Sequence, residues 1–190
     1  NDTATHSYPE LADDLSGAVA GPADFLGHSM GGKAAMQLAL QSPERVRRLI
    51  VADIAPVAYS HTQQGMIDAM RAVDLSLVSK RSDADAQLAA HVGDPGVRAF
   101  LLQSLDVTAQ AWRLNLDTLE REMETITGWP GTPGIFEGPA LFLSGGTSDY
   151  VRREHRDLIR AQFPKARFAS IPSAGHWVHA EKPREFEAAA

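Results

Sequence analysis

The 190-residue chain contains no cysteine. Disulfides and thiol catalysis are therefore excluded, and the composition fits a reducing compartment such as the cytoplasm. No apolar run approaches the roughly 20 residues of a membrane-spanning helix, so no membrane span is expected. The histidines are scattered, with no H-x-x-x-H pair and no helix bearing paired carboxylates, so no metal site is expected. Neither G-x-G-x-x-G nor a P-loop occurs, and no cofactor is expected. Excess positive charge is lacking: the formal net charge is −6, which argues against nucleic acid or an anionic membrane surface as partner. Residues 1–7 are polar and read as a loop; they contain neither an initiator Met nor the apolar centre of a signal peptide. Internal repeats are absent. What is left is the composition of an ordinary globular protein, long enough for one domain with a real core.

The chain is organised around Phe25-Leu26-Gly27-His28-Ser29-Met30-Gly31-Gly32. It contains G-x-S-x-G, the nucleophile-elbow pattern, in the context that gives the pattern meaning. Ala23 to Leu26 is a short apolar run of strand type, and Lys33 to Gln41 is a strong helix former. The chain must reverse between them, leaving Ser29 at the apex in a strained conformation with its hydroxyl exposed. Gly27 and Gly31 are expected where a side chain would collide with the neighbouring strand or helix. The Met30 amide opens the helix and is the candidate oxyanion donor.

Before the elbow, Tyr8 to Val19 predicts a helix with Pro9 near its start, ending at Gly21-Pro22. After it, Arg45-Val46-Arg47-Arg48 is a small basic patch, read as a solvated edge leading into a strand rather than a phosphate site. Leu49 to Ala52 is the continuous apolar run of a buried parallel strand, closed by Asp53. From Val57 to about Pro133 strand-like runs disappear. Amphipathic helical stretches take over at 63–73, 83–92, 97–105 and 116–127. Residues 128–134, Gly-Trp-Pro-Gly-Thr-Pro-Gly, read as a hinge or return loop. Ala140 to Ser144 restores the strand pattern. A helix at 153–163, a strand at 166–171, the loop 174–179 and a last helix from Pro183 follow. The expected organisation is a core over 1–56 and 134–190, with a helical cap, 57–133, inserted between core strands. The sheet is expected to be mainly parallel and doubly wound, although only three or four strands are visible.

Ser29, Asp53, Ser148, Asp149 and His176 all fall just after a predicted strand, where the sites of open α/β sheets gather. A serine hydroxyl needs a base at neutral pH, and His176, on a Gly-containing loop, is the candidate. The base needs an orienting acid, and Asp53 and Asp149 both satisfy the order Ser…Asp…His; residue chemistry does not separate them. Candidate substrate-contacting residues are His28, Trp112, Leu114 and Trp177. For His28, which should point away from the nucleophile, packing or hydrogen bonding within the elbow competes with that role. His179 and Glu181 are expected to tie down the histidine loop.

With these residues in place the chain resembles the α/β-hydrolase superfamily, and more closely the small YbfF-type esterases and their mitochondrial abhydrolase relatives. The resemblance rests on residues 25–34, on Val51-Ala52-Asp53-Ile54-Ala55-Pro56-Val57, on Gly145-Gly146-Thr147-Ser148, and on residues 174–183, Ala-Gly-His-Trp-Val-His-Ala-Glu-Lys-Pro. Trp112 to Leu116 also fits. The resemblance implies an α/β-hydrolase fold with Ser29 as nucleophile and His176 as base. It places Ser148 in the slot where the superfamily usually carries its acid. It favours Asp53 as the acid, with Ser148 as a helper to His176 and Asp149 as a rival. It also implies strands ahead of the elbow, and an N-terminal loop completing the oxyanion hole. Judged by that pattern these are missing here, the last helix is cut short, and the chain reads as a fragment.

The activity implied is a serine hydrolase acting on a small-molecule ester or acyl thioester, with acyl-CoA among the candidates. Phe100, Leu101, Leu102, Trp112, Leu114 and Leu116 are the apolar residues available for an acyl pocket, with cap-to-core packing as the competing role. The alternatives are C–C bond hydrolysis or a lyase step on the same scaffold, and a non-catalytic ligand-binding protein.

Overall fold

A computed structural model of the chain describes residues 5–60 and 62–190; of the loop expected over 1–7, residues 1–4 lie outside them. The elements in chain order are α1 (Tyr8–Gly17), β1 (Ala23–His28), α2 (Met30–Gln41), β2 (Val46–Ala52), α3 (Gln64–Arg71), α4 (Arg81–Leu88), α5 (Pro95–Leu101), β3 (Leu105–Asp106), β4 (Ala111–Trp112), α6 (Leu116–Arg121), α7 (Met123–Thr127), β5 (Ala140–Gly145), α8 (His155–Gln162), β6 (Ala166–Ile171), α9 (Val178–Glu181) and α10 (Pro183–Ala189). They fall into two compact units. One holds Ser7–Tyr59 and Thr125–Ala190; the other holds Ser60–Glu124.

In the first unit four strands form one parallel sheet in the order β1-β2-β5-β6. Alternate residues point to opposite faces, so the central strands β2 and β5 each feed two apolar layers. Val51 and Phe142 pack with Met36 and Leu38 of α2 and Ile159 of α8. Their neighbours Ala52 and Leu143 pack with Ile171 and Val178. Helices thus cover both faces, which is why these strands read as continuous apolar runs. Gly27 pairs with Val51, Val51 with Phe142 and Leu143 with Ala169. This register brings the carboxyl ends of the strands to one edge of the sheet.

The helix ends have local causes. Ser7 caps α1, and Glu10 reaches back to the Ser7 amide at 3.0 Å, satisfying donors that the first turn leaves orphaned. The helix stops at Gly17, before the expected Val19, and the Arg45 guanidinium satisfies the carbonyls of Ser16 and Val19 at and beyond its end. Arg47 and Arg48 of the same basic patch pair with Asp24 at the surface.

The unit Ser60–Glu124 packs around Ile67, Met70, Leu88, Leu101 and Leu105. It departs from the expected all-helical character. β3 and β4 pair antiparallel, Leu105 opposite Trp112, through a turn in which Gln110 has φ 49°. Two-residue strands are too short to show an alternating pattern. The helix expected over 116–127 breaks at Glu122 (φ −93°, ψ 9°), with no Gly or Pro to announce the break.

The elbow corrects one glycine expectation. A Cβ on Gly27 would lie 2.3 Å from the Gly31 carbonyl oxygen, as expected, but one on Gly31 would meet nothing within 4 Å. The second close approach is at Gly32, where a Cβ would sit 2.7 Å from Ile54 Cγ2. Gly31 is on the open side of the turn; Gly32 is where α2 crosses the sheet. Among the described residues, no helix is long and apolar enough to cross a membrane.

Candidate active site

Two residues leave the sheet edge in the left-handed region. The Ser29 amide donates to the Ala52 carbonyl at 3.0 Å and the Asp53 amide to the Leu143 carbonyl at 2.8 Å. Each extends a strand ladder by one hydrogen bond before the chain turns, with φ 53° at Ser29 and φ 50° at Asp53. For non-glycine residues such values cost of order 1–3 kcal/mol unless the surroundings impose them. Here the ladder behind and the helix or loop ahead do so.

Ser29 occupies the N-cap of α2, yet its side chain makes no capping bond. An N-cap serine ordinarily gives its oxygen to the helix amides; this one is turned away. Its Oγ lies 3.1 Å from Nε2 of His176. Nδ1 of His176 lies 2.8 Å from Oδ2 of Asp53. Asp53 is fully buried, and its carboxylate also accepts from the Gly145 amide at 2.9 Å and from the Ser148 hydroxyl. A carboxylate only accepts, so the proton of a neutral His176 resides on Nδ1 and Nε2 is left as an acceptor for the serine hydroxyl. The first amides of α2, beginning with Met30, have no intrahelical acceptor and lie at the positive end of the helix dipole beside Ser29.

His176 is held from several sides. Its carbonyl accepts from Nε2 of His28 at 2.8 Å. The amides of its two chain neighbours, Gly175 and Trp177, donate to the Glu181 carboxylate at 2.7 and 3.2 Å. The preceding carbonyl, of Ala174, takes the amide and hydroxyl of Thr147. The His28 ring sits 4.7 Å from both His176 and His179 and 5.4 Å from Trp177. Burial pushes the His28 imidazole down to about 4, despite the opposing effect of its bond to the His176 carbonyl, so it is neutral at pH 7.

The structure therefore brings together Ser29, Asp53, Ser148 and His176. Ser148 gives its hydroxyl to Asp53. Asp149 is exposed, and its carbonyl rather than its carboxylate is engaged, by Arg152. The step from Ser148 to Asp149 turns the chain outward, so sequence adjacency to the cluster does not become contact. Trp112 donates its indole N–H to the Met70 carbonyl within its own unit. Leu101, Leu102 and Leu116 belong to that unit's core, whereas Phe100 and Leu114 are exposed. Among the described residues, no group of three or more His, Cys, Asp or Glu is arranged to hold a metal ion.

Three residues at or near the site had no sequence signal. The Tyr150 ring lies on the His176 imidazole. Tyr59 accepts the Ala55 amide and donates to the Tyr150 carbonyl, bridging the loops after β2 and β5. Lys33, counted only as a helix former, is buried on α2. Its Nζ donates to the carbonyls of Thr127 and Gly128 and lies 4.8 Å from the centre of the Tyr59 ring. Burial lowers it to about 8.

Residues 1–189 match the sequence model of the alpha/beta hydrolase family. The chain is 43% identical to the mouse (Mus musculus) sn-1-specific diacylglycerol lipase ABHD11 over 95% of its length, and 42% identical to esterase YbfF of Escherichia coli over 93%. It spans 62% of the mouse protein and 70% of the bacterial one. Among solved structures, a marine microorganism esterase superposes with a TM-score of 0.89 at 34% identity, covering 97% of this chain and 76% of that one. With the parallel sheet, the helices on both its faces and the elbow serine already in place, these similarities establish that the chain belongs to the alpha/beta hydrolase family.

Proposed function

We propose that this chain is a serine hydrolase that cleaves carboxylic esters or acyl thioesters through an acyl-enzyme on Ser29. The observation that carries the reading is the unbroken series from Ser29 Oγ to His176 Nε2 at 3.1 Å and from His176 Nδ1 to Asp53 Oδ2 at 2.8 Å. In the first step Ser29 Oγ bonds to the acyl carbon as its proton passes to Nε2. Asp53 holds the ring in the required tautomer and stabilises the imidazolium that forms. The charge on the former carbonyl oxygen develops beside the Met30 amide at the start of α2. The imidazolium then gives its proton to the leaving oxygen or sulfur, and the bond from the acyl carbon to that atom breaks. In the second step water gives a proton to Nε2 and its oxygen attacks the acyl carbon. Collapse frees the acid and returns the proton to Ser29.

Asp53, not Asp149, is the acid in this reading, and Ser148 supports it by donating to the same carboxylate. The esterase and lipase names of the relatives favour ester substrates and bring glyceride esters into the test set. The reading is tested by intact mass after reaction with a fluorophosphonate, with peptide mapping, alongside turnover of p-nitrophenyl esters, an acyl-CoA and a diacylglycerol. One adduct on Ser29, absent in Ser29→Ala and in His176→Ala, is the expected result. A folded chain that takes no adduct, or a Ser29→Ala variant that keeps ester turnover, overturns it.

A further inference from the structure

The Tyr150 ring lies almost flat on the His176 imidazole, with centroids 3.9 Å apart and planes 19° from parallel. We propose that Tyr150 is a catalytic residue whose π face stabilises the imidazolium that His176 becomes as Ser29 attacks. The proposal rests on the reading of Ser29 as nucleophile and His176 as base, and adds to it a residue that the hydrogen-bonded series does not include.

Tyr150 is held in place by the two loops that carry the acid and its neighbour. Its amide donates to Ser148 Oγ at 3.3 Å, and its carbonyl accepts from the Tyr59 hydroxyl at 2.7 Å. That hydroxyl accepts the Ala55 amide at 2.9 Å, and the two tyrosine rings are 5.2 Å apart. Few degrees of freedom remain to be lost when the imidazole becomes charged.

The groups around the imidazole divide by direction. Asp53, after β2, receives Nδ1–H, and Ser29, in the elbow, faces Nε2. The N–H and the lone pair of an imidazole lie in the plane of its ring, so both are contacts at its edge. His28, at the end of β1, has its ring 4.7 Å away and tilted by 43°, and Trp177 approaches at 5.8 Å and 68°. Ser148 acts through Asp53. Tyr150 alone among these lies parallel to the imidazole. Asp53 therefore meets the new positive charge edge-on and Tyr150 meets it face-on, so neither replaces the other.

Only interactions stronger in the transition state than in the ground state accelerate the reaction. Stacking between two neutral rings is present in both and cancels. The attraction between a cation and the negative face of an aromatic ring arises only once Nε2 has taken the proton. An increment of this kind, partly desolvated, is expected to change the rate roughly tenfold.

The test replaces Tyr150 by Phe and then by mono-, tri- and pentafluorophenylalanine, which keep the ring's shape while draining its face of negative potential; Tyr150→Leu removes the face. Two quantities are read on the 190-residue chain: kcat/KM for p-nitrophenyl acetate against pH, and the NMR titration of the His176 Cε1–H, which does not depend on turnover. The expected result is that Tyr150→Phe resembles the unsubstituted protein. The His176 titration and the acidic limb of the rate profile then move to lower pH stepwise with fluorination, by roughly one pH unit across the series. The plateau rate falls roughly tenfold. A flat series overturns the proposal, as does a Tyr150→Phe variant that falls as far as Tyr150→Leu, since the hydroxyl would then be responsible. Fluorophosphonate capture at Ser29 with a flat series removes the role of Tyr150 alone. Absence of capture removes the nucleophile assignment and this proposal with it.

Discussion

Replacing His28 with Phe separates two contributions of one imidazole. The first is a hydrogen bond: Nε2–H donates to the His176 carbonyl at 2.8 Å, and a buried acceptor left without its donor costs about 1–2 kcal/mol at any pH. The second depends on pH. The folded protein holds His28 neutral down to about 4, chiefly through burial, whereas in the unfolded chain it protonates near 6.5. Between those values the unfolded state binds the extra proton, so the folded state loses stability as pH falls through this window. At about 1.4 kcal/mol per tenfold change in proton affinity, the loss is about 2 kcal/mol at pH 5 and approaches about 3 kcal/mol below pH 4. Phe keeps the aromatic packing against Trp177 and His179 and carries no proton. His28→Phe is therefore expected to be less stable than the unsubstituted protein at pH 8 by about 1–2 kcal/mol. The gap should close below pH 6.5 and invert near pH 5. Urea unfolding of both proteins between pH 4.5 and 8 measures this. A stability gap that stays constant over the range would refute the buried, neutral His28.

Asp53→Asn is expected to lower kcat by about 10³–10⁴ by presenting an N–H to Nδ1 and forcing the wrong imidazole tautomer, while Asp149→Asn changes it less than about twofold; a larger loss in Asp149→Asn, read in ester turnover, reverses the assignment. For Lys33, burial lowers the folded-state value to about 8, so the unfolded chain holds that proton to higher pH and the lysine's stability penalty is relieved as pH rises from 8 towards 10.5. The stability of the unsubstituted protein minus that of Lys33→Met should therefore rise by up to about 2.5 kcal/mol between pH 7 and 10. Parallel unfolding profiles would show that the ammonium is not desolvated.

Much of the fold is legible from local residues because its signals are local. The elbow carries its own strand, turn and helix formers. Pro9 marks the start of α1, and Leu49 to Ala52 reads as a strand buried on both faces. The family resemblance added Asp53 as the favoured acid. What escaped the sequence are the features created when distant segments meet. Nothing in the spacing of Ser148 and Asp149 says that one turns in to the carboxylate and the other out to solvent. Lys33 reads as one more helix former until the carbonyls of Thr127 and Gly128 arrive 94 and 95 positions later in the chain.

The sequence by itself determined which chemistry is available: a serine at a turn that must be tight, a histidine on a glycine-containing loop, and no thiol. The tertiary structure decided which of those groups meet, because parallel register set the carboxyl ends of β1, β2, β5 and β6 at one edge. There the buried Asp53 is satisfied by partners from other segments, Gly145 at the end of β5 and Ser148 and His176 on loops. A buried carboxylate is stable only when its acceptors are filled, and those donors lie 92 to 123 residues away in the chain. The placement of Tyr150 on the imidazole follows from the same packing, and no local pattern in the chain encodes it.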